Sequence, residues 1–222
     1  MTLSIIVPVL NEAPGIASAL LALAHFCQQG AELIVVDGGS SDNTAALCNG
    51  LADQVLLAPR GRALQMNIGA AHASGSTLLF LHADTRLPLA AMPAIEEALQ
   101  SHAWGRFDVS ISGHSMLLPL VARLMNWRSR WSGIATGDQA IFVTRKAFDG
   151  AGGFPDQPLM EDVELSRRLL RHGRPACLHL RVLTSGRRWE QFGVWRTVVL
   201  MWRLRFLYWL GTPPEHLARH YP

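Results

Sequence analysis

The sequence predicts an α/β fold with a mostly parallel central sheet flanked by helices. Four short runs are rich in Val, Ile and Leu and lack polar alternation, as expected for strands buried on both faces. Segments with apolar residues at helical spacing separate these runs. Polar residues or glycines follow the runs, and ligands of open α/β sheets bind outside such strand ends. We therefore expect a ligand site at the carboxyl edge of the sheet.

The first half of the chain predicts four strands joined by helices. The strands are expected at residues 3–9, 32–36, 55–57 and 77–81. One connecting helix covers 13–28 and stops at Gly30, a second begins near Thr44, and a third carries Gln65 and Asn67. The resulting order β-α-β-α-β-α-β predicts parallel strands with right-handed crossovers.

The second half predicts a different set of elements. A helix is expected over 90–100, and polar and apolar residues alternate over 104–111 as in an edge or antiparallel strand. The Leu, Met and Trp residues of 117–130 predict a helix packed on the core. The remaining expected elements are a polar loop from Gly133 into a strand ending at Val143, a glycine turn at 151–155, a helix starting near Glu161, a last strand at 178–183 and a helix over 194–210.

The last predicted helix interleaves aromatic and basic side chains. These residues are Trp195, Trp202, Phe206, Tyr208, Trp209, Arg196, Arg203 and Arg205. Aromatic anchors with basic side chains at the lipid head groups are typical of a helix on a membrane surface. The alternative is packing on the domain or on a second subunit, which would make the protein a homodimer. The pattern leaves both interpretations open.

Composition narrows the class of protein and its compartment. Hydrophobic residues make up 49% of the chain, enough for a substantial core. The net charge is +3 without a continuous basic tract, which argues against nucleic-acid binding. Three cysteines lack metal-ligand spacing and predict a reducing, cytoplasmic compartment. We expect neither a secretory signal at the start nor a membrane-spanning stretch of about 18 apolar residues.

Two strand ends carry candidate ligand-binding carboxylates. Asp84 follows the fourth strand, where it would hold a divalent cation against a phosphate or, alternatively, cap the turn before Pro88. Asp37 opens a glycine-rich loop after the second strand, and a carboxylate there suits a nucleotide base or ribose. An ordinary loop with Ser41 or Asp42 as helix cap is the alternative.

Further polar residues cluster in the later loops. Arg60 and Arg62, around Gly61, would meet a diphosphate or form a solvated loop. Glu161 and Asp162 precede an amphipathic helix, where each would be either a cap or a general base. Candidates for contact with an acceptor, chosen by their place in polar loops, are Asp138, Gln139, Gly153, Arg187, Arg188 and Trp189.

Assembled in order, these segments resemble the inverting glycosyltransferases of family 2, which have the GT-A fold. The resemblance extends over essentially the whole chain, and it is strongest to the rSAM/selenodomain-associated subgroup. The matching segments are SIIVPVLNE (4–12), VVDGGSSD (35–42), GRALQMN (61–67), HAD (82–84), GGF (152–154) and ED (161–162).

The resemblance implies one GT-A domain over 1–222 and a role for each matching residue. Residues 1–88 would bind the nucleotide sugar, 89–190 would bind the acceptor and carry catalysis, and 191–222 would form the amphipathic segment. Asp84 would bind Mn²⁺ or Mg²⁺ on the diphosphate, and Asp162 would deprotonate the acceptor hydroxyl with help from Glu161. Residues at the UDP- or GDP-sugar donor would be Pro8, Asn11, Glu12, Asp37, Gly61, Arg62, Gln65 and Asp84.

The chain departs from the family pattern at three places. His82 replaces the first acid of the DxD element, Gly38 replaces the second of two aspartates, and Ser185 replaces the Gln of a QxxRW element. The last departure favours a non-processive enzyme at the inner membrane face, with a lipid-linked acceptor as one option. The alternatives are a nucleotidyltransferase and a non-catalytic nucleotide-sugar-binding module. A nicotinamide dehydrogenase is disfavoured because no GxGxxG follows the early strands.

Overall fold

The computed structural model describes residues 1–221 and has an eight-stranded mixed sheet at its centre. The strands are β1 Leu3–Val9, β2 Glu32–Asp37, β3 Gln54–Leu57, β4 Thr77–Phe80, β5 Thr85–Arg86, β6 Trp104–Ser112, β7 Ile141–Thr144 and β8 Ala176–Ser185. Their order in the sheet is β3-β2-β1-β4-β7-β6-β8-β5.

Helices pack on both faces of this sheet. They are α1 Ile16–Leu21, α2 Ala24–Gln28, α3 Thr44–Cys48, α4 Arg62–His72, α5 Ala91–Ala98, α6 Leu118–Ser132, α7 Arg145–Gly150, α8 Glu161–Leu169, α9 Arg187–Phe192, α10 Val194–Trp209 and α11 Pro214–Ala218. Short 3-10 helices cover Gly137–Gln139 and Leu170–His172. The single helix expected over 13–28 is two helices, because the Leu23 amide donates to the Leu20 carbonyl and interrupts the α-helical pattern.

Strands β1 to β4 form the parallel half that the sequence predicts. β1 lies between β2 and β4, and β3 pairs with the outer side of β2, all in parallel. The Val, Ile and Leu side chains of β1, β2 and β4 are buried on both faces, which explains their continuous apolar runs, whereas β3 at the edge is partly buried and its Leu57 is exposed. The carboxyl ends of β1, β2 and β4 therefore lie next to one another at one edge of the sheet.

The second half adds antiparallel pairs to the parallel ones, which makes the sheet mixed. β7 runs antiparallel to both β4 and β6, whereas β6 and β8 are parallel. Of the two alternatives for 104–111, the edge strand is wrong, because β6 lies inside the sheet between β7 and β8, and the antiparallel strand is confirmed by the pairing of β6 with β7.

Polar and apolar residues alternate in β6 although the side chains of Arg106 and Asp108 are not exposed to water. Arg106 is fully buried, and its guanidinium forms an ion pair with Asp108 on the same strand. Arg130 of α6 reaches the other carboxylate oxygen of Asp108 at 2.6 Å. The Asp108 carboxylate compensates the buried charge of Arg106, and Arg130 is partly exposed, so the polar residues of β6 occupy positions inside the sheet.

The apolar stripe expected to pack α6 on the core lies on both sides of the helix. Leu118, Val121 and Ala122 are buried against the sheet. The apolar residues on the opposite side are exposed, namely Leu120, Leu124, Trp127 and Trp131. The prediction that the whole stripe is core is therefore wrong for the outer side of this helix.

Helix α10 likewise has one packed and one exposed face. Leu204 is buried in a small cluster with Leu159 and Met160, which lead into α8. The opposite face is apolar and exposed, with Trp195, Val199, Trp202, Phe206 and Trp209. The inner face thus packs on the domain, as one of the two alternatives requires, and the outer face stays free. Among residues 1–221, no helix is long and apolar enough to cross a membrane.

Candidate active site

Asp37 organises the loop at the end of β2. The side chain is buried, and its Oδ1 accepts hydrogen bonds from the Gly39 amide at 2.7 Å and the Ser40 amide at 2.6 Å. Its Oδ2 is buried without a hydrogen-bond partner. Asp42 accepts from the Thr44 amide in the same loop, but the N-cap position of α3 belongs to Asn43 and not to Ser41 or Asp42 as the alternative expects. Asp37 therefore fixes the backbone of the predicted base-binding loop.

The end of β1 lies against this loop. Pro8 is half-buried in the strand, and Asn11 follows it in the left-handed region at φ 54°. The Asn11 side chain accepts from the Ser41 amide at 2.8 Å. Glu12 is 3.4 Å from the Arg187 guanidinium, which connects the N-terminal half with the later loops.

Gln65 is behind the strand ends rather than at the surface. It is buried, and its amide nitrogen donates to the carbonyls of Val9 and Val36 at 2.8 Å each. In this structure Gln65 ties β1 to β2, so the sequence-based expectation of direct contact with the donor does not fit its burial. Gly61, at φ 151°, begins α4 and lets Arg62 face the cavity.

Asp84 follows the carboxyl end of β4 on an exposed turn. Thr85 donates a 3.4 Å hydrogen bond to it. Among residues 1–221, no group of three or more His, Cys, Asp and Glu side chains is arranged to hold a metal ion. An exposed single carboxylate still fits Mg²⁺, which keeps several waters and takes one or two carboxylates together with substrate phosphates.

A cavity next to β4 brings residues from both halves of the chain together. One side belongs to the end of β4 and to α4, and the other to α8 and the loop before β7. Its lining residues are Arg62, Met66, Phe80, His82, Gly137, Ile141, Phe154, Glu161 and Asp162. The cavity therefore joins the predicted donor side to the predicted base.

Asp162 is held in this cavity by backbone amides. Its Oδ2 accepts from the Gly137 amide at 2.8 Å and its Oδ1 from the Val163 amide at 2.7 Å. A carboxylate has about four lone-pair sites, so both oxygens keep acceptor capacity. The side chain is half-buried and lines the cavity, which has a volume of about 10 Å³, room for about one water molecule.

Glu161 is more deeply buried and forms an ion pair. Its Oε1 is 3.3 Å from Nη1 of Arg62, whose side chain is about half exposed. Burial and the neighbouring Asp162 charge raise the pKa of Glu161, and Arg62 opposes them only partly. Arg62 is thus directed at Glu161 in this structure, not free in a solvated loop.

His82 and Asp138 form a second polar pair at the same cavity. His82 Nδ1 is 3.4 Å from Asp138 Oδ1. Burial raises the pKa of Asp138, but the hydrogen bond and charge of His82 outweigh it and lower the pKa overall. His82 also contacts Gly137 closely enough that a Cβ there would lie 2.4 Å from Nε2. The histidine therefore binds an acceptor-side residue rather than standing free beside Asp84.

Two predicted acceptor residues have structural contacts instead of exposed surfaces. Gln139 is fully buried, and its Oε1 accepts from the Thr136 amide at 3.2 Å. Gly153 is buried beside Asn67, and an added Cβ would lie 2.8 Å from the Asn67 Oδ1. Their expected contact with an acceptor does not fit these positions.

The C-terminal residues reach the other predicted acceptor positions. Arg188 of α9 lies 3.8 Å over the ring of Tyr221 and hydrogen-bonds its hydroxyl. Trp189 is half-buried next to it. Burial raises the pKa of Tyr221, and the charges of Asp138 and Asp162 also act on it. The C-terminal segment therefore lies close to the cavity.

The residues other than glycine that adopt a left-handed backbone conformation lie next to the site. Among residues 1–221 they are Asn11, Ala140 and Met160. Ala140 follows Asp138, and Met160 immediately precedes Glu161 at the start of α8. Such conformations cost about 1–3 kcal/mol each and cluster at functional sites. Here they set the directions of the acidic side chains.

Sequence reasoning missed two arginines of this region. Arg128 lies on α6 and Arg205 on α10, and the charge of Asp162 acts on both. The sequence analysis expected Arg205 at lipid head groups with Arg196 and Arg203. The feature that could have identified Arg205 is its position next to Leu204, at the edge of the buried face of α10.

Glu161→Gln is expected to raise the melting temperature at pH 8 and to leave it unchanged below about pH 4. Because folding raises the pKa of Glu161, protonation of this residue stabilises the folded state. That stabilisation is lost as the pH rises through the pKa that Glu161 has in the folded state. The amide mimics the protonated acid at every pH. Thermal unfolding at both pH values is the measurement, with Glu164→Gln on the same helix as control. A lower melting temperature at pH 8 would mean that the Arg62 ion pair outweighs burial.

The fold is similar to that of the GT-A glycosyltransferases. The chain belongs to glycosyl transferase family 2, because the sequence profile of that family matches residues 4–145. The profile therefore includes β1 to β7 and ends before Glu161 and Asp162.

Known proteins with similar sequences or structures agree with this class. The chain is 25% identical over 214 residues to "Probable glycosyltransferase YdaM" of Bacillus subtilis, across 85% of this chain and 50% of that one. S. aureus TarS 1-349 in complex with UDP-GlcNAc superposes with a TM-score of 0.62 at 18% identity, across 83% and 58%. Mannosyltransferase PcManGT from Pyrobaculum calidifontis, in complex with GDP-Man and Mn²⁺, gives 0.62 at 21%, across 82% and 56%. The chain thus spans about half the length of the curated relative, and the structural similarities show a shared fold.

Proposed function

We propose that this chain transfers a sugar from a UDP- or GDP-sugar to an acceptor hydroxyl, with inversion and one sugar per reaction. The observation that carries the proposal is the shared cavity, where the end of β4 and the acidic start of α8 face each other. UDP-GlcNAc in TarS and GDP-Man in PcManGT support a nucleotide-sugar donor. We also propose the rSAM/selenodomain-associated subgroup, from the motifs of the sequence.

The residues divide into donor and acceptor groups. The loops after β1 and β2, fixed by Asn11 and Asp37, would receive the nucleotide. Asp84 would hold a divalent cation, as supported by the Mn²⁺ in PcManGT. A bound cation supplies charge neutralisation on the departing diphosphate.

Asp162 would act on the acceptor. One of its oxygens takes the hydroxyl proton while the hydroxyl oxygen attacks the anomeric carbon from the face opposite the leaving nucleotide. The hydrogen bond from Gly137 keeps the carboxylate in place, and the buried Glu161 with Arg62 forms the wall behind it. The exposed aromatic faces of α6 and α10 support the further proposal of a lipid-linked acceptor at the inner face of the cytoplasmic membrane.

A nucleotide-sugar panel tests the donor half of this proposal. A donor that binds only the folded state should raise stability by about 2.7 kcal/mol at about 100 times its dissociation constant. The panel is read by thermal shift with Mn²⁺, Mg²⁺ or chelator in each well. Asp84→Ala is expected to remove the metal-dependent part of the shift, while Asp149→Ala, an exposed acid on α7, leaves it intact.

Three outcomes would contradict the proposal or a part of it. A shift with a free nucleoside triphosphate and with no nucleotide sugar would identify a nucleotidyltransferase. Equal loss in Asp84→Ala with and without metal would remove Asp84 as a ligand. A shift without any turnover on hydroxyl acceptors would instead indicate a binding module.

A further inference from the structure

Two arginines from separate helices lie near the proposed base. In each of them, one nitrogen of the guanidinium group has no hydrogen-bond partner. Nη2 of Arg128 and Nε of Arg205 are both buried and unpartnered. The two residues lie close enough for the charge of Arg205 to act on Arg128, and the charge of Asp162 acts on both. Asp138 also acts on Arg205. The two arginines therefore lie within range of the Asp162 charge, beside the cavity and outside its lining.

This arrangement is costly for the protein alone. Placing two cations side by side out of water is unfavourable unless an anion and hydrogen bonds compensate them. Burial, together with Arg205, lowers the pKa of Arg128 to about 9. Neither acid accepts a hydrogen bond from Nη2 of Arg128 or Nε of Arg205, although Asp162 keeps acceptor capacity beside its bonds from backbone amides and Asp138 pairs with His82. The two unpartnered nitrogens therefore lack an oxyanion that could accept their hydrogen bonds.

The helices place these arginines between two apolar surfaces. Arg128 follows the exposed Leu124 and Trp127 on α6, and Arg205 is next to the exposed Phe206 on α10. Both side chains are only partly exposed. Both arginines thus lie beside residues of the exposed faces and within range of the Asp162 charge.

We infer that Arg128 and Arg205 bind a phosphate group carried by the acceptor, next to the hydroxyl that Asp162 deprotonates. The inference rests on the proposed glycosyl transfer, since it takes Asp162 as the base. Guanidinium groups match phosphate oxygens bidentately, and charge-assisted hydrogen bonds are about twice as strong as neutral ones. The phosphate belongs either to a soluble phosphorylated acceptor or to a lipid head group, and both present the same chemistry.

The test uses the full chain and inorganic phosphate as the probe, at constant ionic strength. We expect phosphate to raise the melting temperature, and Arg128→Gln and Arg205→Gln each to weaken its apparent affinity by about tenfold or more. Matched controls are Arg123→Gln on α6 and Arg203→Gln on α10, whose side chains are exposed. The controls should retain the affinity of the unmodified chain.

Vesicles distinguish the source of the phosphate. If a lipid carries it, Arg205→Gln lowers cosedimentation with phosphatidylglycerol vesicles more than Arg203→Gln does. If the acceptor is soluble, phosphate affinity falls in Arg205→Gln while vesicle binding stays equal in both variants. Either result supports the inference.

The inference is overturned if phosphate does not stabilise the unmodified chain, or if all four variants weaken phosphate equally. Near-ultraviolet circular dichroism confirms that each variant is folded. Failure of the proposed function would be seen separately, as the absence of any nucleotide-sugar shift in the unmodified chain. If a nucleotide sugar still stabilises Arg205→Gln while phosphate does not bind the unmodified chain, the phosphate inference is refuted. The proposed function is not refuted by that result.

Discussion

Asp162→Asn is expected to lower kcat by about 10²–10⁴-fold while leaving donor binding unchanged. An amide accepts no proton from the hydroxyl, so the nucleophile loses its general base. The substitution keeps the shape of the side chain, and the amide oxygen can still accept from the Gly137 amide. The measurement is initial rate together with nucleotide-sugar thermal shift on the same preparation.

A nearby acid provides the control for this experiment. Asp156 lies in the loop before α8 and is exposed, so Asp156→Asn should retain full activity. A kcat for Asp162→Asn within twofold of the unmodified enzyme would exclude Asp162 as the base. Loss of the donor shift in Asp162→Asn would mean that the residue binds the donor instead.

The parallel half of the fold was predictable because its determinants are local. Each of β1 to β4 is a continuous apolar run ended by a polar or turn segment, and the structure confirms their parallel pairing. β6 was misplaced because its polar residues look solvent-facing in sequence. The compensation for Asp108 comes partly from Arg130, 22 residues away on α6. No pattern confined to the strand shows this.

The candidate site was predictable where residues follow strands or open helices. Asp84 and Asp162 have such positions, and their proposed roles await experiment. Gln65 and Gln139 were chosen by the same reasoning, yet their amides bind polar groups of other segments. A sequence shows that an amide is polar but not which distant group it meets. For the same reason, the convergence of Arg128 and Arg205 depends on how α6 and α10 pack.

The electrostatic arrangement of the site explains why the acidic residues need so many backbone contacts. Glu161 and Asp162 are neighbours in sequence, and their mutual repulsion disfavours ionisation of both. The first turn of α8 offsets part of this cost, because the helix N-terminus favours negative charge. Met160, at φ 64°, directly precedes this first turn.

Asp108→Ala is expected to lower the free energy of unfolding by about 3–5 kcal/mol, because it leaves Arg106 buried and unpaired. Urea denaturation gives the value, and Glu97→Ala, an exposed acid on α5, should stay within about 0.5 kcal/mol. The double variant Arg106→Met, Asp108→Leu should lose less than Asp108→Ala, since an apolar pair leaves no charge in the strand. A loss below about 1 kcal/mol in Asp108→Ala would mean that Asn126, whose carbonyl accepts from Arg106 at 3.2 Å, compensates the guanidinium sufficiently.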